Sequence, residues 1–452
     1  MPKQGPGQRV AVVFHSFAHY RQAALEQLAG SPNHHYVFVA QRDDPYQVGV
    51  KPAHLPESAP FVTTPWICLG RRPLWQRGLI RLALRRDLDT IIYHGNANWP
   101  STWLSAMIAR LGGKRVLFWT HGWVRRERGR AAWIRCRFYR LAHGLLLYGH
   151  GAKMIGLEAG FAAERLHVIY NSLDYDAQRM LRQRVDHERI LQIRAQLFDA
   201  PRLPMVICTS RLIRTRRLDL LFQSLVQLRQ QGHEVRLLLV GDGEERPALE
   251  RLACDLDLPV NFYGACYDEQ VLAELIMAAH LTVSPGPIGL TAVHSLAYGT
   301  PVITHDDADD QGPEWEAIVP SVTGDFFTKG QATDLARVIR RWTQSPQPQA
   351  AIRAQCHRVI ERFYNPRFQR IAIDRAVSGQ PADDLFWMKD PKTIGPSVGA
   401  DRGPSIDPQP KDGGPLPRAN GGLGPRDELA GKPTGAADAD SKTPAKVGRA
   451  GG

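Results

Sequence analysis

The sequence predicts an α/β protein built from two Rossmann-like, doubly wound domains that face each other across a cleft. Two observations carry this. Short apolar strands alternate with helix-length segments twice along the chain, and a polar joint separates the two runs. The strands are near-continuous in Val, Ile and Leu, as expected of parallel sheets covered on both faces. A length of 452 residues leaves room for two or three domains.

In the first run, strands are expected over 10–14, 36–40, 90–93, 116–119, 145–148 and 167–170. Helices are expected between them near 21–28, 101–111 and 130–141. A charged stretch from 174 to about 200 ends at Pro201 and Pro204, and the alternation then restarts. Its strands are 205–209, 235–240, 260–263, 281–284 and 301–304, with helices near 217–231, 244–255, 268–279 and 290–298. Further helices near 331–344, 346–363 and 366–377 end the folded part. The organisation is therefore an amino-terminal domain (8–175), a linker (176–204), a second domain (205–345), and helices over 346–379 that pack back towards the first domain. A Gly- and Pro-rich tail (380–452) cannot bury enough apolar surface to order itself and is expected to be disordered.

Composition narrows the function. The apolar share of 43% with 23% charged residues is that of a globular protein. No apolar run reaches the ~20 residues of a membrane-spanning helix, and the first residues lack a signal-peptide layout. Six scattered cysteines without a CxxC pair argue against a zinc site or a disulfide framework, and a cytoplasmic location is expected. The net charge of +12 invites anionic partners. Arginines cluster over 71–86 and 125–140, interleaved with Leu74, Trp75 and Leu79 in the first segment and accompanied by Trp123, Trp133 and Phe138 in the second. Such segments are either solvated faces packed on the core or peripheral contacts with an anionic membrane. No nucleic-acid-binding module is recognisable.

The most informative stretch is 283–305, VSPGPIGLTAVHSLAYGTPVITH. Gly286 and Gly289 let the backbone turn and approach a ligand closely. A helix then starts near Leu290, leaving unpaired amides that suit phosphate oxygens. Three other features fall at strand carboxyl ends of the same domain. Arg211, Arg214, Arg216 and Arg217 follow the first strand, and fork-like guanidiniums there suit a diphosphate. Gly241-Asp242-Gly243 follows the second strand and Gly264 the third. The ordered set describes a nucleoside-diphosphate site facing the cleft, where such sheets bind ligands.

The order SRLxxxxRxDLL, LLLVGDGEER, VNFYG and SPxxxxGLxxxxSLAYGTPVI, followed by Glu316 and Thr323-Gly324, resembles the donor domain of family 4 glycosyltransferases. These are retaining enzymes of GT-B architecture. Thr120-His121-Gly122 and the interdomain VIYNSLD (168–174) match the same family in the first domain, so the resemblance spans about 8–378. It implies a cytoplasmic enzyme, at most peripheral on the inner face of a membrane. The enzyme would move a sugar from a nucleotide sugar to a glycan or lipid-linked glycan, in polysaccharide biosynthesis. Nucleotide sugar is a co-substrate, and neither cofactor nor metal is expected, because cations and helix dipoles hold the diphosphate.

Position by position, the resemblance implies that Arg211 and Arg216 hold the donor diphosphate, with the amides of Gly289 and Leu290 completing the cradle. Gly241, Gly243 and Gly264 shape the base side. Glu316 is either a donor ligand or structural. His121 lies beside the transferred sugar. His15, Tyr20 and Arg21, with His94, Asn96 and Asn98, follow strands of the first domain and are expected on the acceptor side. The departure is in the opening stretch, where Gly286 and His294 replace a pair of glutamates that touch the sugar and the ribose. His294 either bonds a ribose hydroxyl or points into the core. The variant resembles one found in surface-polysaccharide glycosyltransferases. The alternative is a catalytically degenerate GT-B-like protein that binds a nucleotide or acts as a scaffold.

Overall fold

The computed structural model describes residues 7–42, 51–55, 59–69 and 72–382. Apart from 380–382, the tail expected to be disordered lies outside the described residues.

The first lobe begins with β1 (Arg9–Val13), α1 (Gln22–Ala29), β2 (His35–Ala40) and β3 (Phe61–Thr63). A hairpin of β4 (Trp66–Leu69) and β5 (Arg72–Gln76), then α2 (Leu79–Leu84), leads to β6 (Thr90–His94) and α3 (Pro100–Leu111). The lobe continues through β7 (Arg115–Thr120), α4 (Arg130–Tyr139), β8 (Gly144–Leu147), α5 (His150–Glu158) and β9 (Leu166–Val168). Its seven strands run in the order β3-β2-β1-β6-β7-β8-β9, and every pairing is parallel. Residues from α2, α3, α4 and α5 pack on one face, and those from α1 and the last helix of the chain pack on the other.

The expected linker is helical, with α6 (Tyr175–Arg182) and α7 (His187–Leu197) started by the side-chain caps of Asp174 and Asp186. The second lobe follows as β10 (Met205–Thr209), α8 (Leu218–Gln230), β11 (Arg236–Val240), α9 (Arg246–Asp255), β12 (Val260–Gly264) and α10 (Glu269–Ala278). Then come β13 (Leu281–Ser284), α11 (Leu290–Ala297), β14 (Val302–His305), β15 (Gly324–Phe327), α12 (Ala332–Thr343), α13 (Gln349–Arg362) and α14 (Pro366–Val377). The parallel order is β12-β11-β10-β13-β14-β15. In each sheet the strand order reverses once, between β1 and β6 and between β10 and β13. Ligands of doubly wound sheets bind at the carboxyl ends beside that reversal.

Core burial rather than surface charge holds each lobe together. A buried Leu, Ile or Val contributes roughly 1.5–3 kcal/mol, against about 0–1 for an exposed ion pair. α13 packs on α11, whereas α14 lies under the first sheet beside α1. Asp374 fixes α14 there, accepting from Tyr36 (2.7 Å), Ser31 (2.9 Å) and Asn33 (3.1 Å) of the first lobe. The chain thus crosses between lobes twice, after β9 and between α13 and α14. The crossings touch: the Tyr170 ring lies 4.6 Å from that of Tyr364, and Gln369 donates to the Tyr170 carbonyl (2.5 Å).

The arginine-rich segment 71–86 is not one amphipathic helix. Its described part forms the strand β5, a turn at Gly78 (φ 86°) and the short helix α2. The second segment does form a helix, α4. Trp123 and Phe138 are buried, while Trp133 is 60% and Ile134 45% exposed. Among the described residues, no helix is long and apolar enough to cross a membrane.

Candidate functional site

On the second lobe, the loop after β10 is held by close backbone approach. A Cβ on Gly241 (φ 147°) would stand 1.9 Å from the Ser210 carbonyl oxygen, and one on Gly243 would stand 2.4 Å from that of Leu212. These glycines therefore let the β11 turn lie against the arginine loop, and the Gly241 amide donates to the Gly264 carbonyl (2.8 Å). A short 3-10 turn, Arg214–Arg216, then leads into α8. Arg211 and Arg214 are exposed. Arg216 donates through Nη1 to the Pro287 carbonyl, and its buried Nε has no hydrogen-bond partner among the described residues. The arginine loop is thereby drawn onto the turn before α11. The approach is tight enough that a Cβ on Gly286 would sit 2.4 Å from the Thr215 carbonyl oxygen.

α11 begins at Leu290 with Gly289 as its cap residue and no capping side chain, so its first amides face outwards. Gln311 stitches the loop after β14 over this start. It accepts from the Ile288 amide (2.8 Å) and donates to Thr304 (3.1 Å) and the His305 carbonyl (2.8 Å). The stitched loop delivers two buried acids. Glu314 accepts from Asn171 (2.8 Å), and its other oxygen lies on the Gly289 side. Glu316 instead reaches the first lobe, accepting from the amides of His150 and Gly151 (2.7 Å each) at the start of α5. Burial pushes both carboxyls up, that of Glu316 to about 7.

His294 lies one turn into α11. Its Nε2 is 2.9 Å from Glu269, which also accepts from Tyr298 (2.6 Å) and Gln178 (3.2 Å). Burial alone would raise the Glu269 carboxyl, but these partners hold it down at about 2. His294 is thus tied to a carboxylate in a part-buried cluster rather than enclosed by apolar core.

The first lobe contributes an arginine in an aromatic cage. The Arg21 guanidinium lies 5.2–5.6 Å from the ring centroids of Phe14, Tyr20, Tyr148 and Trp119, and donates to the Tyr148 hydroxyl (2.5 Å). His121 follows β7 with its ring 4.8 Å from that of Tyr148. The residue is exposed. Desolvation and the Arg21 charge hold its pKa down at about 4, so it is a neutral imidazole near pH 7. His94 packs on Phe14 (4.9 Å), near His15 (5.3 Å), and burial, followed by the charges of His15, Arg21 and His121, holds its pKa well below the ordinary value. Asn96 accepts from the Asn98 amide (3.0 Å) in the following turn.

The structure therefore brings His15, Tyr20, Arg21, His94 and His121 together at the carboxyl end of the first sheet. It brings Arg216, Gly286, Gly289 and Leu290 together at that of the second. Glu316 joins the lobes and does not line the cradle. Tyr148, Glu269, Gln311 and Glu314 are additions that no local pattern marks, since each acts through a partner distant in sequence. Among the described residues, no three His, Cys, Asp or Glu side chains are placed to hold a metal ion.

Residues 22–177 match the family model Glycosyltransferase Family 4, and residues 190–360 match Glycosyl transferases group 1. Together these matches run through both lobes and mark the chain as a glycosyltransferase family 4-like protein of GT-B architecture. Over 111 residues it is 33% identical to a GDP-mannose-dependent alpha-(1-6)-phosphatidylinositol dimannoside mannosyltransferase of Mycobacterium tuberculosis, covering 24% of this chain and 29% of that protein. Over 150 residues it is 31% identical to the lipopolysaccharide core biosynthesis glycosyltransferase LpsE of Rhizobium meliloti, covering 33% and 42%. These matches span less than half the length of either relative. The fold is that of Anabaena Alr3699/HepE in complex with UDP, with a TM-score of 0.61 at 18% identity over 82% of this chain and all of that one.

Proposed function

We propose that this chain transfers a sugar from a nucleoside-diphosphate donor to a glycan or lipid-linked glycan acceptor, with retention of configuration, in polysaccharide biosynthesis. Residues 205–345 serve as the donor domain and 8–175 as the acceptor domain. The observation that carries this is the pairing of an arginine-rich end of the second sheet with an end of the first sheet that holds Arg21 beside neutral imidazoles. The arginine loop and open α11 start suit a diphosphate, and the Arg21–His121 cluster stands on the acceptor side. The leaving diphosphate would be stabilised by Arg211, Arg216 and the Gly289 and Leu290 amides, with neither metal nor cofactor. Neutral His121 would accept or donate a hydrogen bond at the sugar without adding charge. Glycan and lipid-linked acceptors are the chemistry named for the mannosyltransferase and lipopolysaccharide relatives.

Arg211 is exposed and its side chain makes no hydrogen bond or ion pair among the described residues, so Arg211→Ala tests the donor grip with the fold intact. Turnover measured as diphosphate release from a panel of nucleotide sugars should fall about 10²–10³-fold, the usual loss for one stabilising donor. Unchanged turnover would remove the assignment. The alternative, a nucleotide-binding scaffold, is motivated by the bare backbone at Gly286. It predicts thermal stabilisation by nucleotide sugars with no diphosphate release in any membrane extract.

A further inference from the structure

The turn before α11 has no room for a side chain at position 286, yet a carboxyl stands beside that turn. The loop after β14 is stitched to the cradle by Gln311 and by the Gly312 amide, which donates to the Ile288 carbonyl (2.8 Å). This lays the 3-10 turn Pro313–Ala317 against the start of α11 and fixes Glu314 within it. One carboxyl oxygen is spent on Asn171 (2.8 Å). The carboxyl also takes a hydrogen bond from its own backbone amide, and the other oxygen makes no side-chain hydrogen bond among the described residues. It lies where a Cβ on Gly312 would be 3.1 Å away and one on Gly289 would be 3.8 Å away. Both glycines are bare of side chain beside that oxygen, so the start of α11 meets it with backbone alone, and Glu314 is itself buried. Across the cleft stand the Tyr148 hydroxyl and the Arg21 guanidinium, close enough to act electrostatically on the acid or be acted on by it.

We infer that Glu314 is the residue that grips the hydroxyls of the transferred sugar, reaching over the α11 start from the loop after β14. The inference rests on the donor-site reading above and adds to it the residue that distinguishes a nucleotide sugar from its bare diphosphate. A carboxyl in this place accepts hydrogen bonds from sugar hydroxyls and, when protonated, donates one. Glu316, equally buried, has both oxygens bonded to amides of the first lobe, whereas Glu314 has one oxygen on Asn171 and turns the other to the start of α11. Burial raises the Glu314 carboxyl, which eases its position beside an incoming diphosphate of like charge. Asn171, at the crossing between the lobes, fixes the orientation of the acid.

The experiment compares the full-length protein with Glu314→Ala, Glu314→Gln and Asn171→Ala by calorimetry. UDP-glucose is measured against UDP, and GDP-mannose against GDP. The expected result is that Glu314→Ala weakens the sugar nucleotide by roughly ten- to hundredfold, the loss of a hydrogen bond to a charged group, and leaves the bare diphosphate unchanged. Glu314→Gln keeps the shape and one acceptor, so it should fall between. Asn171→Ala, which keeps the carboxyl but frees its orientation, should lose less than Glu314→Ala. Thermal melts identify any variant that unfolds, and Glu314→Gln, isosteric with the native side chain, then carries the comparison. Wild-type affinity of a folded Glu314→Ala for both sugar nucleotides overturns the inference. Arg211→Ala reports separately on the donor site, because it weakens the bare diphosphates as well.

Discussion

Single atoms decide the donor cradle. At position 286 the missing Cβ is what lets the Arg214–Arg216 turn close on the start of α11, with Arg216 anchored to the Pro287 carbonyl. Restoring a glutamate there would place a Cβ 2.4 Å from the Thr215 carbonyl oxygen and 2.9 Å from the Arg216 Cα. Both contacts are with backbone, so the loop itself must move. Gly286→Glu is therefore expected to lower stability by about 1–3 kcal/mol, the usual cost of overpacking, and to reduce turnover rather than raise it. A thermal melt with a diphosphate-release assay checks both. His294 is as specific: its Nε2 contact with Glu269 selects one ring face for the cluster and leaves the other nitrogen for a neighbour.

At the scale of elements, the two helix starts facing the cleft are used differently. α11 is open, whereas the start of α5 is filled by Glu316 from the other lobe. Burial raises the Glu316 carboxyl from an ordinary 4.5 to about 7, and outweighs the two amides that favour its charged form. Between those values the folded protein keeps a proton that the unfolded chain has lost. The stability tied to this group is therefore complete below about pH 4.5 and is lost as pH rises through about 7, a change on the order of 3 kcal/mol. Glu316→Gln should remove that slope, so its deficit against wild type narrows from pH 5 to about pH 8 in urea titrations.

Strands and helices with strong apolar periodicity were legible in the sequence to within a residue or two, β10 to α11 above all. The β4–β5 hairpin was not. The interleaved Leu, Trp and Arg of 71–86 mimic a helical face, although Pro73 and Gly78 are both poor in a helix interior. In the cradle, the arginines and glycines announced themselves by position after a strand. Glu269 and Glu314 did not, because their meaning comes from partners brought together only by the fold.

Among the described residues, one face of the first lobe combines exposed apolar and basic side chains. α2 to α5 cover one face of the first sheet and leave Leu84, Leu111, Val124, Trp133 and Ile134 exposed. Arg125, Arg128, Arg130 and Arg137 are exposed on the α4 side of that face. With a net charge of +12, such a surface fits peripheral attachment to an anionic membrane, each arginine near the surface contributing about 1 kcal/mol. The protein is expected to sediment with phosphatidylglycerol vesicles at low salt and be released as salt rises. Trp133→Ala combined with Arg137→Ala should weaken binding several-fold without altering the melt. Binding that is absent, or indifferent to salt, removes the attachment.

The paired crossings have a consequence for motion. A body tethered at one point can tumble about it, but one tethered at two points keeps a single easy rotation, about the line that joins them. Here the two tethers are adjacent, with Tyr170 packed on Tyr364 and bonded through its carbonyl to Gln369. The line that joins them therefore runs through the contact of these residues. Rotation about such an axis would change the gap between the arginine loop and His121 more readily than it would slide one face past the other.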